Sequence, residues 1–214
     1  MLSETTDTTY THNGLDPAID YCYSVSAVYE AGESEETVPV CNTRYAPDSK
    51  EELQFAVDMW REDSTSALMM FGTMDNWDVS LVTDMSSLFA GDTTFNRNIS
   101  NWDVSNVRNM YEMFLQANDF NQNIGSWTTS SVTNIERMFR RARAFNNGEA
   151  AGNSNRPLNW FTGGVNSLEQ VFWEANSFNQ DIGGWDVTQV TDFTNLFYSA
   201  VRFNRPLNTW VINN

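Results

Sequence analysis

The chain has 214 residues, 41% of them hydrophobic and 14% aromatic, a globular composition long enough for one or two domains with a real core. Its formal charge of −16 argues against a nucleic-acid partner, which needs a basic footprint to neutralise phosphate. No apolar run nears the ~18 residues of a membrane span, and Met1-Leu2-Ser3-Glu4 opens without the basic and apolar regions of a signal peptide.

Residues 8–43 alternate apolar and polar side chains in the manner of strands. Tyr21, Tyr23, Val25, Ala27 and Tyr29 share one period-2 register, and Glu30-Ala31-Gly32-Glu33 reads as a turn before Val38 and Val40. A hairpin folded symmetrically about Ala31-Gly32 sets Cys22 opposite Cys41, a geometry suited to a disulfide and hence to an oxidising compartment. The competing reading is two free thiols in a cytosolic protein. The stretch Thr9 to Thr37, with Leu15-x-Pro17, a corner tyrosine at Tyr21 and a Tyr-x-Val-x-Ala-Val strand ending in Gly-Glu-Ser, resembles the C-terminal half of a fibronectin type III domain. That resemblance implies a partial β-sandwich over residues 1–45 and a chain that is a piece of a longer multidomain protein.

Asp48 or Ser49 can N-cap a helix whose first turn holds Glu51 and Glu52. Leu53, Ala56, Val57 and Trp60 follow at amphipathic spacing. We expect residues 46–75 to form a helical entry cap over the end of a repeat array.

From residue 76 to 214 the chain repeats. Trp77, Trp102, Trp127, Trp160, Trp185 and Trp210 are separated by 25, 25, 33, 25 and 25 residues. Phe follows the first five at a distance of 12 (Phe89, Phe114, Phe139, Phe172, Phe197), and a Phe-Asn pair follows six residues later (Phe95-Asn96, Phe120-Asn121, Phe145-Asn146, Phe178-Asn179, Phe203-Asn204). Such a period means stacked units that cannot bury their apolar faces alone. Val107, Met110, Met113, Phe114 and Ala117 fall on one helical face, while Ile124 to Thr129 is strand-like. The expected fold class is α/β: a solenoid of about five 25-residue coils (short strand, short helix, loop), with strands stacked ~4.8 Å apart.

The pattern N-W-D-V-S-x-V-T-x-M-x-x-M-F-x-x-A-x-x-F-N-Q-x-I over residues 46–213 resembles the repeats of BspA-like bacterial surface proteins, lipoprotein or PARCEL-type elements. The resemblance implies a leucine-rich-repeat-like solenoid and an extracellular or cell-surface module for adhesion or interaction, binding a protein or glycan on a cell or matrix surface. It carries over no catalytic residue, cofactor or metal.

Candidate sites divide into shared and variable positions. Asn96, Asn121, Asn146, Asn179 and Asn204 form either a ladder that satisfies loop backbone or a row of ligand-binding amides; periodicity favours the first. The Trp row is either core or a sugar platform. Asp78, Asp103 and Asp186 share a position that Thr128 and Phe161 interrupt, a pattern closer to turn caps than to converging calcium ligands. With one histidine (His12) and no G-x-S-x-G, H-E-x-x-H, C-x-x-C or phosphate loop, no enzyme chemistry is expected, although two carboxylates meeting in space would revive a hydrolase. The variable features are Arg137, Arg140, Arg141 and Arg143, the one basic cluster, and the insertion near 146–155 with Asn147, Glu149, Asn153 and Asn155. Insertions in repeat arrays collect on one face and often form the contact surface; the plainer reading is a flexible loop with arginines paired to Glu136 or Glu169.

Overall fold

The computed structural model describes residues 22–30, 32–37, 40–41 and 44–213. The chain divides into two units, Met1–Thr43 and Arg44–Asn214.

In the first unit, β1 (Cys22–Tyr23) pairs antiparallel with β4 (Val40–Cys41), and β2 (Val28–Tyr29) pairs with β3 (Gly32–Glu33). The outer register places Cys22 opposite Cys41, as symmetry about Ala31-Gly32 requires. The inner register does not follow that symmetry: Tyr29 faces Gly32 and Val28 faces Glu33, centring the turn one residue earlier. The limbs between the two pairs are therefore unequal, and hydroxyls occupy the gaps. Val25 N–H donates to Thr37 Oγ1 at 3.0 Å, and Ala27 N–H to Ser34 Oγ at 2.9 Å. The expected partial β-sandwich is not what forms. The described strands make only two-stranded pairs, with Val25, Val28 and Tyr29 at least 65% exposed where a sandwich would bury one face. Leu15, Pro17 and Tyr21, on which the fibronectin resemblance rests, lie outside the described residues, as does His12.

The second unit opens with α1 (Lys50–Glu62), N-capped by the Ser49 side chain, which accepts from the Glu52 N–H. Leu53, Ala56 and Val57 are buried, as their spacing requires. A second helix, α2 (Ser64–Phe71), takes its cap from Asp63, whose carboxylate accepts from Thr65 and Ser66, and ends at Gly72 with φ 65°. A 3₁₀ turn, Met74–Asn76, leads into Trp77.

Beyond Trp77, the strand–helix–loop coil expected of a leucine-rich-repeat-like solenoid is overturned: the described residues 77–213 contain neither a helix nor a strand, only turns, loops and single parallel bridges such as Asp84–Asn109 and Ser167–Asp192. Alternate N–H groups leave their own copy. Met85, Ser87, Phe89 and Gly91 donate to the carbonyls of Asn109, Tyr111, Met113 and Leu115 in the next copy, all within 2.9 Å. The residues between close tight turns, Leu88 N–H to Met85 O and Ala90 N–H to Ser87 O. To aim this way, two residues per copy take left-handed backbone: Ser87 and Gly91, Glu112 and Gln116, Arg137 and Arg141, Gln170 and Glu174, Asn195 and Ser199.

Ring spacing explains why a helix is excluded. Phe89, Phe114, Phe139, Phe172 and Phe197 lie on the stripe that reads as helical, and successive rings stack with centroids 5.5–5.8 Å apart. Helices pack no closer than about 8–10 Å. A second stack, Phe95, Phe120, Phe145, Phe178 and Phe203, runs beside the first, with centroids 3.8–4.1 Å from its partner in each copy. Helix α1 crosses the Trp77 copy. The Lys50 ammonium donates to the Ser86 hydroxyl, Gln54 Nε2 to Leu88 O at 3.3 Å, and Arg61 pairs with Asp92 at 3.4 Å.

Candidate interaction surface

The repeated polar residues are consumed by the stack. Each Asn of the ladder but the last accepts the backbone N–H of its successor on Oδ1: Asn121 donates to Asn96 at 2.9 Å, then Asn146 to Asn121, Asn179 to Asn146 and Asn204 to Asn179, each at 2.8 Å. The Trp row is core for its first five members, and Trp210 is half-buried against it. Trp77, Trp102, Trp127, Trp160 and Trp185 are at most 4% exposed. Each indole of Trp102 and beyond donates to a carbonyl earlier in the chain, as Trp102 does to Met74 O, Trp127 to Ile99 O and Trp185 to Leu158 O. A sugar platform built on that row is thereby removed. Asp78, Asp103 and Asp186 each accept the N–H two residues on, from Ser80, Ser105 and Thr188, at 3.0–3.1 Å. These are turn-forming carboxylates. The Ser105 side chain and N–H hold the Asp103 carboxyl below its ordinary value, and Thr188 does the same for Asp186. Among the described residues no group of three or more His, Cys, Asp or Glu could hold a metal ion.

The insertion is tied down rather than loose. Asn147 is fully buried; its Oδ1 accepts the Ile124 N–H at 2.8 Å and its Nδ2 donates to Arg156 O at 2.7 Å. The ladder amides bind the insertion's carbonyls: Asn121 to Glu149, Asn146 to Ala150 and Asn153, and Asn179 to Gly152. Glu149 pairs with Arg156 at 3.1 Å and accepts from Asn155 Nδ2 at 3.3 Å.

The arginines are mostly neutralised. Arg137 bridges Glu112 at 3.5 Å and Glu169 at 3.0 Å and donates to the Tyr111 hydroxyl. Its hydrogen bond to Glu169 pushes the guanidinium further up from an already high value. Arg141 and Arg143 share Glu174, at 3.4 and 3.3 Å. That carboxylate also takes the Trp173 indole N–H, and these donors hold it below its ordinary value. Arg140 differs: it has no carboxylate partner among the described residues and lies over the Trp173 ring at 5.1 Å.

Trp173 in turn meets Tyr198 of the following copy, centroids 4.5 Å apart, and Tyr198 is 54% exposed. Arg140, Trp173 and Tyr198 occupy the same position, thirteen residues after Trp127, Trp160 and Trp185. They make a cationic–aromatic column across three copies. Trp173 was findable in the sequence as a tryptophan outside the 25-residue row; Tyr198 left no such signal.

A family model described as "Mycoplasma protein of unknown function, DUF285" matches residues 57–156 and again 150–214. The chain belongs to the DUF285 family. The two DUF285 matches overlap inside the insertion, which breaks the 25-residue period between Trp127 and Trp160. No curated protein and no solved structure matches the chain. Among the described residues, no helix of this DUF285 protein is long and apolar enough to cross a membrane.

Proposed function

We propose that this DUF285 protein is a noncatalytic, surface-displayed interaction module that meets a protein partner through the column Arg140, Trp173 and Tyr198. One observation carries the reading. The polar side chains that recur in every copy are spent on stacking, whereas this column is variable and holds an exposed tyrosine beside a guanidinium without a carboxylate. Trp, Tyr and Arg are the residue types that dominate binding energy at protein interfaces. The resemblance of the repeats to BspA-like surface proteins supports display outside the cell and a role in adhesion. Binding through the Trp and Asn rows is not part of this reading, because those rows are occupied within the stack.

The test is adhesion of beads coated with the protein to cultured cells and to an extracellular-matrix preparation. A Trp173→Ala/Tyr198→Ala variant with unchanged melting temperature should lose adhesion. Equal adhesion by the variant, or none above albumin-coated beads for the unaltered protein, would overturn the reading.

A further inference from the structure

The Asn ladder has a first member but nothing before it. In three later copies, the ladder Asn and the residue after it both donate to the preceding Asn. Asn121 N–H and Gln122 Nε2 reach Asn96 Oδ1 at 2.9 and 2.8 Å. Asn179 N–H reaches Asn146 Oδ1 and Gln180 Nε2 reaches Asn146 O, at 2.8 and 3.1 Å. Asn204 N–H and Arg205 Nε reach Asn179 Oδ1 at 2.8 and 3.2 Å. The corresponding donors of the Trp77 copy are Asn96 N–H and the Arg97 guanidinium, and no ladder Asn precedes them.

A cavity of about 140 Å³ lies there, between α1 and the loop 92–97, lined by Trp60, Arg61, Asp92, Thr94, Asn96 and Arg97 among others. The Trp60 indole N–H is buried and has no hydrogen-bond partner. Arg97 lies over the Trp60 ring at 4.5 Å and has no ion pair among the described residues. Asp92 does not fill the place. One of its oxygens pairs with Arg61 at 3.4 Å and the other accepts from Thr94 Oγ1 at 3.3 Å. Arg61 is already paired with both Asp58 and Asp92, each at 3.4 Å, so among the described residues the lining keeps one guanidinium without an ion pair, that of Arg97, beside the unpartnered Trp60 N–H.

We infer that this cavity is a carboxylate-binding site, in which a ligand oxygen takes the Asn96 N–H and the Arg97 guanidinium as an Asn side chain takes their counterparts in later copies. The charge of Arg97 selects a carboxylate over a carboxamide, since hydrogen bonds to ionised acceptors are the stronger kind. The carboxylate can belong to a small free acid or to an acidic side chain of a peptide. The inference is independent of the Arg140–Trp173–Tyr198 column.

The test is a titration followed by the NMR signals of the Asn96 amide and the Trp60 indole N–H, with acetate in one arm and a short Gly-Ser peptide bearing one Glu in the other. We expect both signals to move saturably. Saturation by acetate assigns a small acid, and saturation by the peptide alone assigns an acidic side chain. Arg97→Gln installs the residue that Gln122 and Gln180 already supply at this position, so the fold is retained. It should weaken binding about tenfold, a loss of about 1.4 kcal/mol. Signals that do not saturate in either arm, equal binding by Arg97→Gln, or acetamide binding as tightly as acetate would each overturn the proposal.

Discussion

Asn121 holds Asn146 through one oxygen: the Asn121 Oδ1 accepts the Asn146 N–H at 2.8 Å and the Gly148 N–H at 3.0 Å. Its Nδ2 meanwhile donates to Glu149 O at 2.9 Å. One side chain thus fixes both the next copy and the start of the insertion. Removing it strands two backbone donors and one acceptor, each costing about 1–3 kcal/mol where water does not replace the lost partner. Asn121→Ala should lower stability by about 2–4 kcal/mol in urea unfolding. Asn121→Asp keeps the acceptor and loses only the donor, so its loss should be smaller. An unchanged urea midpoint for Asn121→Ala would show that the ladder does not hold the copies together.

The left-handed residues give a test whose sign separates turns from helix. Gln116 has φ 59° and donates its N–H to Arg140 O in the next copy. In a helix, glycine in place of glutamine would cost close to 1 kcal/mol. At a left-handed turn position, glycine is neutral or stabilising by up to ~1 kcal/mol, because the side chain's steric cost disappears. Gln116→Gly should therefore leave the melting temperature level or raise it, whereas β-branched Gln116→Val should lower it.

Those positions also show what the sequence hid. Of the ten left-handed residues that recur in pairs, leaving aside Asn147, Gly148 and Gly152 of the insertion, only Gly91 and Asn195 belong to types that favour this conformation; Glu112, Gln116, Arg137, Arg141, Gln170 and Glu174 give no such signal. The stripe Val107, Met110, Met113, Phe114, Ala117 is spaced as a helix would have it, but tight turns also return side chains inward every three or four residues. Periodicity alone could not separate the two. Helix α1 was legible because its Ser49 cap agreed with its stripe, and the structure buries Leu53, Ala56 and Val57 accordingly. The Asn ladder was legible as a structural device, because invariance beside a core Phe leaves little room for variation in a ligand. The Arg140–Trp173–Tyr198 column was not. Its members belong to different copies and are brought together only by the register of the stack.

Phe120 tests which side of the coil is the interior. It is fully buried, 3.9 Å from Phe114 within its copy and 5.7 Å from both Phe95 and Phe145 across copies. Phe120→Ala opens a gap in the middle of a ring stack and should cost about 3–5 kcal/mol in chemical denaturation. A negligible loss would place the ring outside the core.

Acid should weaken the repeat unit through its turn-forming aspartates. Ser105 holds the Asp103 carboxyl below its ordinary value, and Thr188 and Thr194 do the same for Asp186 and Asp192. A carboxyl whose folded pKa lies below its unfolded value of about 3.9 contributes stability that is fully present above that value. The contribution is lost as pH falls through the folded value. Melting temperature should therefore hold level near neutrality and drop below about pH 4. Asp103→Asn keeps an acceptor for the Ser105 N–H but cannot titrate, so its melting curve should depend less on acid. A drop of equal steepness in the variant would assign acid sensitivity to other groups.

The hairpin makes a covalent prediction from backbone register alone. Cys22 and Cys41 are directly opposed antiparallel partners, and Tyr23 faces Val40 beside them. Opposed residues of an antiparallel pair have Cα separations of about 4.5–5.5 Å, within the range that a disulfide spans. If the protein matures in an oxidising compartment, the two thiols should be joined. Protein recovered under oxidising conditions and then denatured without reductant should present no titratable thiol, and should present two after reduction. Two thiols before reduction would break the link between this hairpin and an extracellular setting. The bond would also close the limbs left unequal between the β1–β4 and β2–β3 pairs, so Cys22→Ser/Cys41→Ser should raise hydrogen exchange at Val25 and Ala27. Those two amides are bonded to the hydroxyls of Thr37 and Ser34 in place of a regular ladder. Exchange there is the readout because hydroxyl partners on short, unequal limbs depend on a clamp at the hairpin's open end.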